Sequence, residues 1–589
     1  MKKNSHKNPL SFKAAFTVAL ITGFSLFSSF SANAQITSTV KRVMLQGFWW
    51  DYWNSNYRFG WANYLTELAP RIKALGFDAI WIPPSAKCNS AGSVGYSPFD
   101  MYDLGDKYQK EQGDTTRSGT KDELLRMIAV LHANGIEVIE DMVINHNSDA
   151  NAVGGVDNTN ALSLASASGY KNFRYVSYKS PALDNSANDY YTRSGRWAKN
   201  WQNFHPNSAH NCNSGDICSS FWGPDLCYDV TGSTGQSGSM PTFAATVTVA
   251  GVVRTYHNPV QPSNYMFTSG RDYMAWFKKQ TACDGFRFDA VKHYSIAAQN
   301  DFITNVKYNV PAFAQGGQDM MSVGEWVGSQ FDVDNYVSAV ASGGEEHTGT
   351  YDFAFRGYST NGSGLYGLVL GNGGYDMQNI YNCQQSKRYY DYNGGTKRVY
   401  RSVNFVNSHD TYRPFLDSVG NFKKALGDAS GWDGGNELGG NGQHIDPREP
   451  RLAAGYAAAF AVDGNPAVYF EDIFDIGTTG KRWSHLPTNE TDLPIRADIR
   501  NIMHAHQKLG FKDGAYGVPT APGQGAVYNA GNSGDHVVLE RKGKALIGIT
   551  DNYSTDQDVT VTVGDPSWYN KALIDYSGSH GLTTTTVSG

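Results

Sequence analysis

Asp284-Gly285-Phe286-Arg287-Phe288-Asp289-Ala290-Val291-Lys292-His293 is the stretch on which the reading of this chain turns. As a strand, its side chains alternate between two faces. Arg287 and Asp289 then share one face, and Phe286 and Phe288 the other. Isolated buried charge is strongly disfavoured, so a cation beside a carboxylate against an apolar backing is normally either paired or used. A purely structural Arg–Asp ion pair is one reading, and a site that works with those charges is the other.

Two further acids favour the second reading. Glu325 follows the apolar run of Met321-Ser322-Val323-Gly324, and Asp410 ends Val403-Asn404-Phe405-Val406-Asn407-Ser408-His409-Asp410. Each stands at the C-terminal end of a β-like segment, and in a barrel of parallel strands those ends form the face where active sites lie. Three acids converging there cannot all ionise freely. Like charges raise one pKa and leave a neutral general acid beside ionised partners. That is the equipment of glycoside hydrolysis.

The rest of the chain supplies the strands such a barrel needs. Apolar β-like runs at 43–48, 79–82, 137–143, 285–288, 321–324, 351–355, 402–406 and 466–470 alternate with helical patterns at 61–75, 121–134, 297–308 and 451–462. Alternation of this kind argues for parallel strands joined by crossover helices. It fits a (β/α)8 TIM barrel, although the pattern alone leaves a doubly wound sheet open. The stretch 147–230 is rich in Asn, Ser, Gly and Asp and breaks the alternation. A long irregular insertion in a compact domain is usually functional. After a helical pattern at 496–509 come short alternating runs at 536–540 and 545–550, which read as an antiparallel β domain. The expected division is a leader at 1–34, barrel at 35–146, inserted B domain at 147–230, barrel again at 231–514 and a C-terminal β domain at 515–589. That last region, of about 75 residues, is expected to hold no further separate module beside the β domain.

With these segments in order, the chain resembles the α-amylase family, glycoside hydrolase family 13. Asp141-Met142-Val143-Ile144-Asn145-His146 looks like the family's first motif, 285–293 its second, Gly324-Glu325-Trp326 its third and 405–410 its fourth. Pro224-Asp225-Leu226 looks like the short motif of the loop domain. The resemblance runs from about Val43 to the end and implies the barrel, with the insertion as a small calcium-binding B domain. A Gly-rich loop at 431–442 is expected to rim the cleft.

The resemblance also implies roles. Asp289 matches the nucleophile, Glu325 the general acid/base and Asp410 the third acid, which helps keep Glu325 protonated. In retaining enzymes the first two carboxyls lie roughly 5–5.5 Å apart. Arg287 is expected to hold Asp289 ionised, since a nearby cation depresses a carboxylate's pKa. His146 and His409 match residues that bond the sugar at the cleavage point, Tyr96 the tyrosine that stacks under it, and Lys292 and His293 the leaving-group side. Asn145, Asp225 and the His293 carbonyl match calcium ligands, oxygen donors of the mixed kind that Ca2+ accepts. Ser408 stands where many members have an Asn used for chloride, so no chloride dependence is implied, and Cys227 replaces a common Asp.

The implied function is a secreted, retaining α-amylase acting on starch, glycogen and maltooligosaccharides. An α-glucan transglycosylase of the same family and a catalytically inactive glycan-binding barrel are the alternatives.

Composition is consistent with this. The 589 residues are too many for one core. Residues 1–34 read as a secretory signal, with Lys2, Lys3, Lys7 and Lys13, an apolar run at 14–30 and Ala32-Asn33-Ala34 before the cut. The apolar run is shorter than the ~20 residues a membrane span needs. Loss of its four lysines would take the net charge from −6 to about −10. An acidic chain without basic runs does not suggest nucleic-acid binding. A monomer without membrane partners is expected. The 13 Trp, 35 Tyr and 29 Phe are many, and exposed rings suit the flat faces of sugars. Six cysteines (88, 212, 218, 227, 283 and 383) permit disulfides in an exported protein. Cys212 and Cys218 are the nearest to a pair, Cys283 reads as a buried free thiol, and the absence of Cys-x-x-Cys argues against zinc.

Overall fold

The computed structural model describes residues 42–50, 52, 60–90, 93–107, 115–147, 197, 226–228, 244–249, 252–257, 264–310, 320–342, 345–357, 364–370, 374–380, 402–412, 445–477, 484–510, 516–517, 527–528, 536–541, 543–553, 561–563, 565–578 and 584–586. The leader, nearly all of the 147–230 insertion, Asp225, the 431–442 loop and Cys212, Cys218 and Cys383 lie outside the described residues.

Eight strands form the core: β1 (Met44–Gln46), β2 (Ala79–Ile82), β3 (Glu137–Met142), β4 (Gly285–Phe288), β5 (Ser322–Gly324), β6 (Gly349–Thr350), β7 (Val403–Phe405) and β8 (Asn465–Tyr469). Their order is β6-β5-β4-β3-β2-β1-β8-β7, with every neighbouring pair parallel. A parallel bridge between Tyr351 and Val403 brings β6 to β7 and nearly closes the ring. This is the (β/α)8 barrel, with every residue of these strands buried, as strands covered on both faces require.

The main helices are α1 (Gly60–Leu75), α2 (Lys121–Ala133), α3 (Tyr265–Thr281), α4 (Ile296–Tyr308), α5 (Gln330–Ala339), α6 (Leu452–Ala461) and α7 (Ala497–Leu509); all but α3 and α5, which the sequence reading did not single out, fall where the 3.6-residue pattern put them. Helix α2 starts at a capping box. The Thr120 hydroxyl accepts from Glu123 N at 3.2 Å, and the Glu123 carboxylate accepts from Thr120 N at 2.8 Å. Such a cap is worth ~1 kcal/mol and fixes where the helix begins.

One expected strand is displaced. Residues 351–355 read as a strand, yet β6 ends at Thr350 and Phe353–Arg356 form a helical turn. Asp352 explains this, because its side chain accepts from Phe355 N at 2.8 Å and caps that turn. The antiparallel pairs outside the barrel include a hairpin of 244–249 with 252–257, which the sequence reading did not anticipate, and β9 (His536–Arg541) with β10 (Ala545–Thr550).

The two ends of the barrel differ in chemistry. At the N-terminal end, Arg42 pairs with Glu137, and Asp284 takes Val138 N and His132 Nε2, both at 2.7 Å. These contacts tie strands and helices together, the stabilising role usual for that face. Cys283 beside them is a buried thiol, its pKa pushed up by burial. No helix among the described residues is long and apolar enough to cross a membrane.

Candidate active site

The C-terminal end of the barrel gathers the acids. On β4, Phe286 and Phe288 are fully buried, with ring centroids 5.9 Å apart, and Phe286 meets Phe277 of α3 at 6.2 Å. Burial of each such ring contributes roughly 1.5–3 kcal/mol, enough to anchor a strand that carries charge on its other side. Gly285 lets β4 lie against Met321, whose carbonyl oxygen would stand 2.3 Å from any Cβ there. Register then sets Arg287 beside Asp141 on β3 and Val323 on β5.

Arg287 is the hub. It is 1% exposed. Its Nη1 donates to Asp141 Oδ1 and to Asp289 Oδ1, each at 2.7 Å. Its Nη2 lies 2.9 Å from Glu325 Oε1, and its Cζ sits 4.9 Å from the centre of the Trp81 ring. One guanidinium fork therefore spans the nucleophile and acid/base candidates. The other oxygen of Glu325, Oε2, accepts from Ala290 N at 3.0 Å. Ala290 aims that N–H from a left-handed backbone with φ of 50°, a conformation costly for a non-glycine residue and frequent at functional sites.

Asp141 was quoted within a motif but given no role from the sequence. It proves central, taking Tyr96 OH at 2.6 Å and Trp81 Nε1 at 3.1 Å on Oδ2, besides Arg287 on Oδ1. Its place near the C-terminal end of β3, the end at which the other three acids also stand, was the available signal. His409 stacks on Tyr96 with ring centres 5.1 Å apart, receives Gln46 Nε2 at Nδ1 at 2.9 Å and meets Asp410 Oδ2 through Nε2 at 3.1 Å. Gln46 and Trp81 thus join the site, although in sequence they look like ordinary barrel residues.

Four carboxyls share this pocket with one guanidinium. Burial pushes Asp289 up to about 7, with Asp141 and Asp410 adding to the rise and Arg287 opposing it. Glu325 is likewise pushed up to about 7 by burial, with Asp289 and Asp410 as contributors. Asp141 rises to about 6. The expectation that Arg287 holds Asp289 ionised is therefore corrected. The cation acts in the expected direction, but burial and two neighbouring acids outweigh it. At neutral pH this set holds shared protons, which suits one acid that donates and one that attacks.

The remaining sequence candidates are distributed around this centre. His146 Nε2 lies 3.0 Å from the Tyr96 carbonyl. Lys292 Nζ reaches the Val327 carbonyl at 3.4 Å. His293 is buried in the turn Val291–His293 directly after Ala290. For calcium, Asn145 is buried and its carbonyl accepts from Leu226 N at 2.7 Å. That bond brings the neighbour of Asp225 against Asn145, and the donor set is oxygen throughout, as Ca2+ requires. Asp225 itself lies outside the described residues. Among the described residues no three His, Cys, Asp or Glu side chains cluster as a metal site.

Known proteins resemble this chain in the same sense. Residues 55–222 match the family model of the α-amylase catalytic domain. An α-amylase of Bacillus licheniformis is 25% identical over 66% of this chain and 67% of its own length. A glucan 1,4-α-maltohexaosidase of Bacillus sp. (strain 707) is 26% identical over 63% of each chain, so the chain spans about two thirds or less of these relatives. Among solved structures, an Anoxybacillus α-amylase superposes with a TM-score of 0.53 at 16% identity, covering 94% of each chain. That likeness speaks for the fold.

Proposed function

We propose that this chain, similar to the α-amylase family in sequence and sharing its barrel, is an exported, retaining α-amylase that cleaves internal α-1,4 bonds of starch, glycogen and maltooligosaccharides. The observation that carries the proposal is the Arg287 fork, which holds Asp289 with one nitrogen and Glu325 with the other.

In this reading Glu325, kept protonated near neutral pH by burial, gives its proton to the departing glycosidic oxygen. Asp289 attacks the anomeric carbon and forms a glycosyl ester. Glu325, now a carboxylate, takes a proton from water, which opens the ester and regenerates Asp289. Asp410 and His409 bond the sugar and Tyr96 lies under it. Lys292 and His293 face the leaving group. Asn145, Asp225 and the His293 carbonyl would hold a calcium ion, which supplies rigidity between insertion and barrel. The signal-like residues 1–34 support export to the cell exterior or periplasm, and a monomer suffices for the chemistry.

Release of reducing ends from soluble starch tests the proposal. A hydrolase gives them steadily. Cyclic or rearranged glucans as the main products would instead favour a transglycosylase, and no products a glycan-binding barrel.

A further inference from the structure

A buried carboxyl that the chemistry above does not use lies next to Asp141. Glu140 is 2% exposed on β3, on the opposite face from Asp141. Its Oε1 accepts from Ser85 N at 2.8 Å and its Oε2 is bonded to Ser85 Oγ at 3.0 Å. Ser85 is itself 1% exposed, so both of its polar groups need partners.

The sequence after β2 explains why a side chain is needed there. Glu140 stands in register with Ile82, the last residue of β2. Residues 83 and 84 are both proline and have no N–H to offer. The first amide of the following loop is that of Ser85, and Glu140 captures it where the ladder stops. From this anchor the constraint reaches the site by contact. The Pro84 ring fills the space where a side chain on Gly95 would lie, with Cδ only 2.7 Å from the built Cβ position, and Gly95 has φ of 118°. The next residue is Tyr96, whose hydroxyl binds Asp141 at 2.6 Å and whose carbonyl lies 3.0 Å from His146 Nε2.

We infer that Glu140 is a positioning residue for Tyr96: by clamping Ser85 it fixes the Pro84–Gly95 contact and hence the height of the tyrosine ring in the cleft. Adjacent residues of one strand thus hold the two ends of one loop, Glu140 at its root and Asp141 at its tip. The inference rests on the α-glucan hydrolase reading for its kinetic effect, but not for its structural one.

The test is a double-mutant cycle of Glu140→Leu and Tyr96→Ala, with kcat/KM on maltooligosaccharides and the melting temperature measured for each. Glu140→Leu alone should lower kcat/KM by about tenfold to a hundredfold, the scale of an ångström-level misplacement. In the Tyr96→Ala background it should add less than about threefold, because coupled residues do not add. Equal losses in both backgrounds, or normal kcat/KM for Glu140→Leu, would overturn the inference. Glu140→Gln keeps an acceptor for the amide and replaces the acceptor for the hydroxyl hydrogen by an N–H that donates to the hydroxyl oxygen, so both bonds survive with one reversed and kcat/KM should be retained even where Glu140→Leu does not fold. A loss in Glu140→Gln as large as that of Ser85→Ala or greater would count against positioning. A crystal structure of Glu140→Leu, or of Ser85→Ala if the first does not fold, should show Tyr96 OH moved off Asp141. An unmoved tyrosine would sink the inference whatever the substrate, whereas an inactive parent enzyme would sink only the hydrolase reading.

Discussion

Arg287 Nη1 and Asp289 Oδ1 meet at 2.7 Å across a single intervening residue. The contact follows from strand geometry, since alternate residues share a face. The same fork reaches Glu325 through its second nitrogen at 2.9 Å. A planar, two-armed cation does this and an ammonium does not. Arg287→Lys should therefore keep a positive charge in the site yet lower kcat by about a hundredfold, as loss of registration between two reacting groups does. Turnover measured on the folded variant checks it, and near-normal kcat would show that charge alone suffices.

Glu325→Gln and Asp289→Asn should each reduce kcat by about 10²–10⁴-fold or more, while affinity for starch survives, because these groups do their work in the transition state. Starch binding by the purified variants should stay within a few-fold of the parent. Normal turnover in either one would remove its assigned role.

The pH response should carry the signature of buried acids. With Asp289 and Glu325 both raised to about 7, kcat/KM should peak near neutrality. It should fall at higher pH as the proton on Glu325 is lost, and at lower pH as Asp289 gains one. Stability should run one way. The ordinary values, 3.8 for Asp289 and 4.5 for Glu325, lie below the folded ones. Between roughly pH 4 and 7 the folded chain thus binds more protons than the unfolded one, and stability declines as pH rises through that window. Asp289→Asn should flatten this decline in a melting series. An unchanged slope would mean that Asp289 is not a buried titrating group.

Much of this could be read before any coordinates. Strands β1 to β5, β7 and β8 announced themselves as short apolar runs, with β3, β4, β5 and β7 leading into motifs, and Arg287, Asp289, Glu325 and Asp410 as acids and a cation at strand ends. Three things were hidden for physical reasons. Strand β6 was misplaced because Asp352 turns the next residues into helix, a local capping bond that outweighs the apolar pattern of Phe353 and Phe355. The roles of Gln46, Trp81 and Glu140 depend on which strands are neighbours, and register is a property of the closed barrel. The net rise at Asp289 depends on the depth of burial, which a charge pattern does not reveal.

Removal of the proposed calcium should destabilise the protein without touching a catalytic group. Asn145, Asp225 and the His293 carbonyl come from three separate parts of the chain. An ion bound only to the folded state adds RT ln(1 + [L]/Kd), or about 2.7 kcal/mol at a hundredfold excess. Thorough chelation should lower the melting temperature and activity together, with both restored by added calcium, and Asp225→Ala should mimic the chelator. Unchanged melting after metal analysis shows the protein stripped would reject the site.

Proton NMR of the first products released from a maltooligosaccharide tests the central claim most directly. An Asp289 ester formed and then opened by water entails two inversions at the anomeric carbon. The account predicts α-anomers at the newly formed reducing ends before mutarotation sets in. Initial β-anomers would contradict the covalent role of Asp289, and no new reducing ends at all would contradict the hydrolase itself.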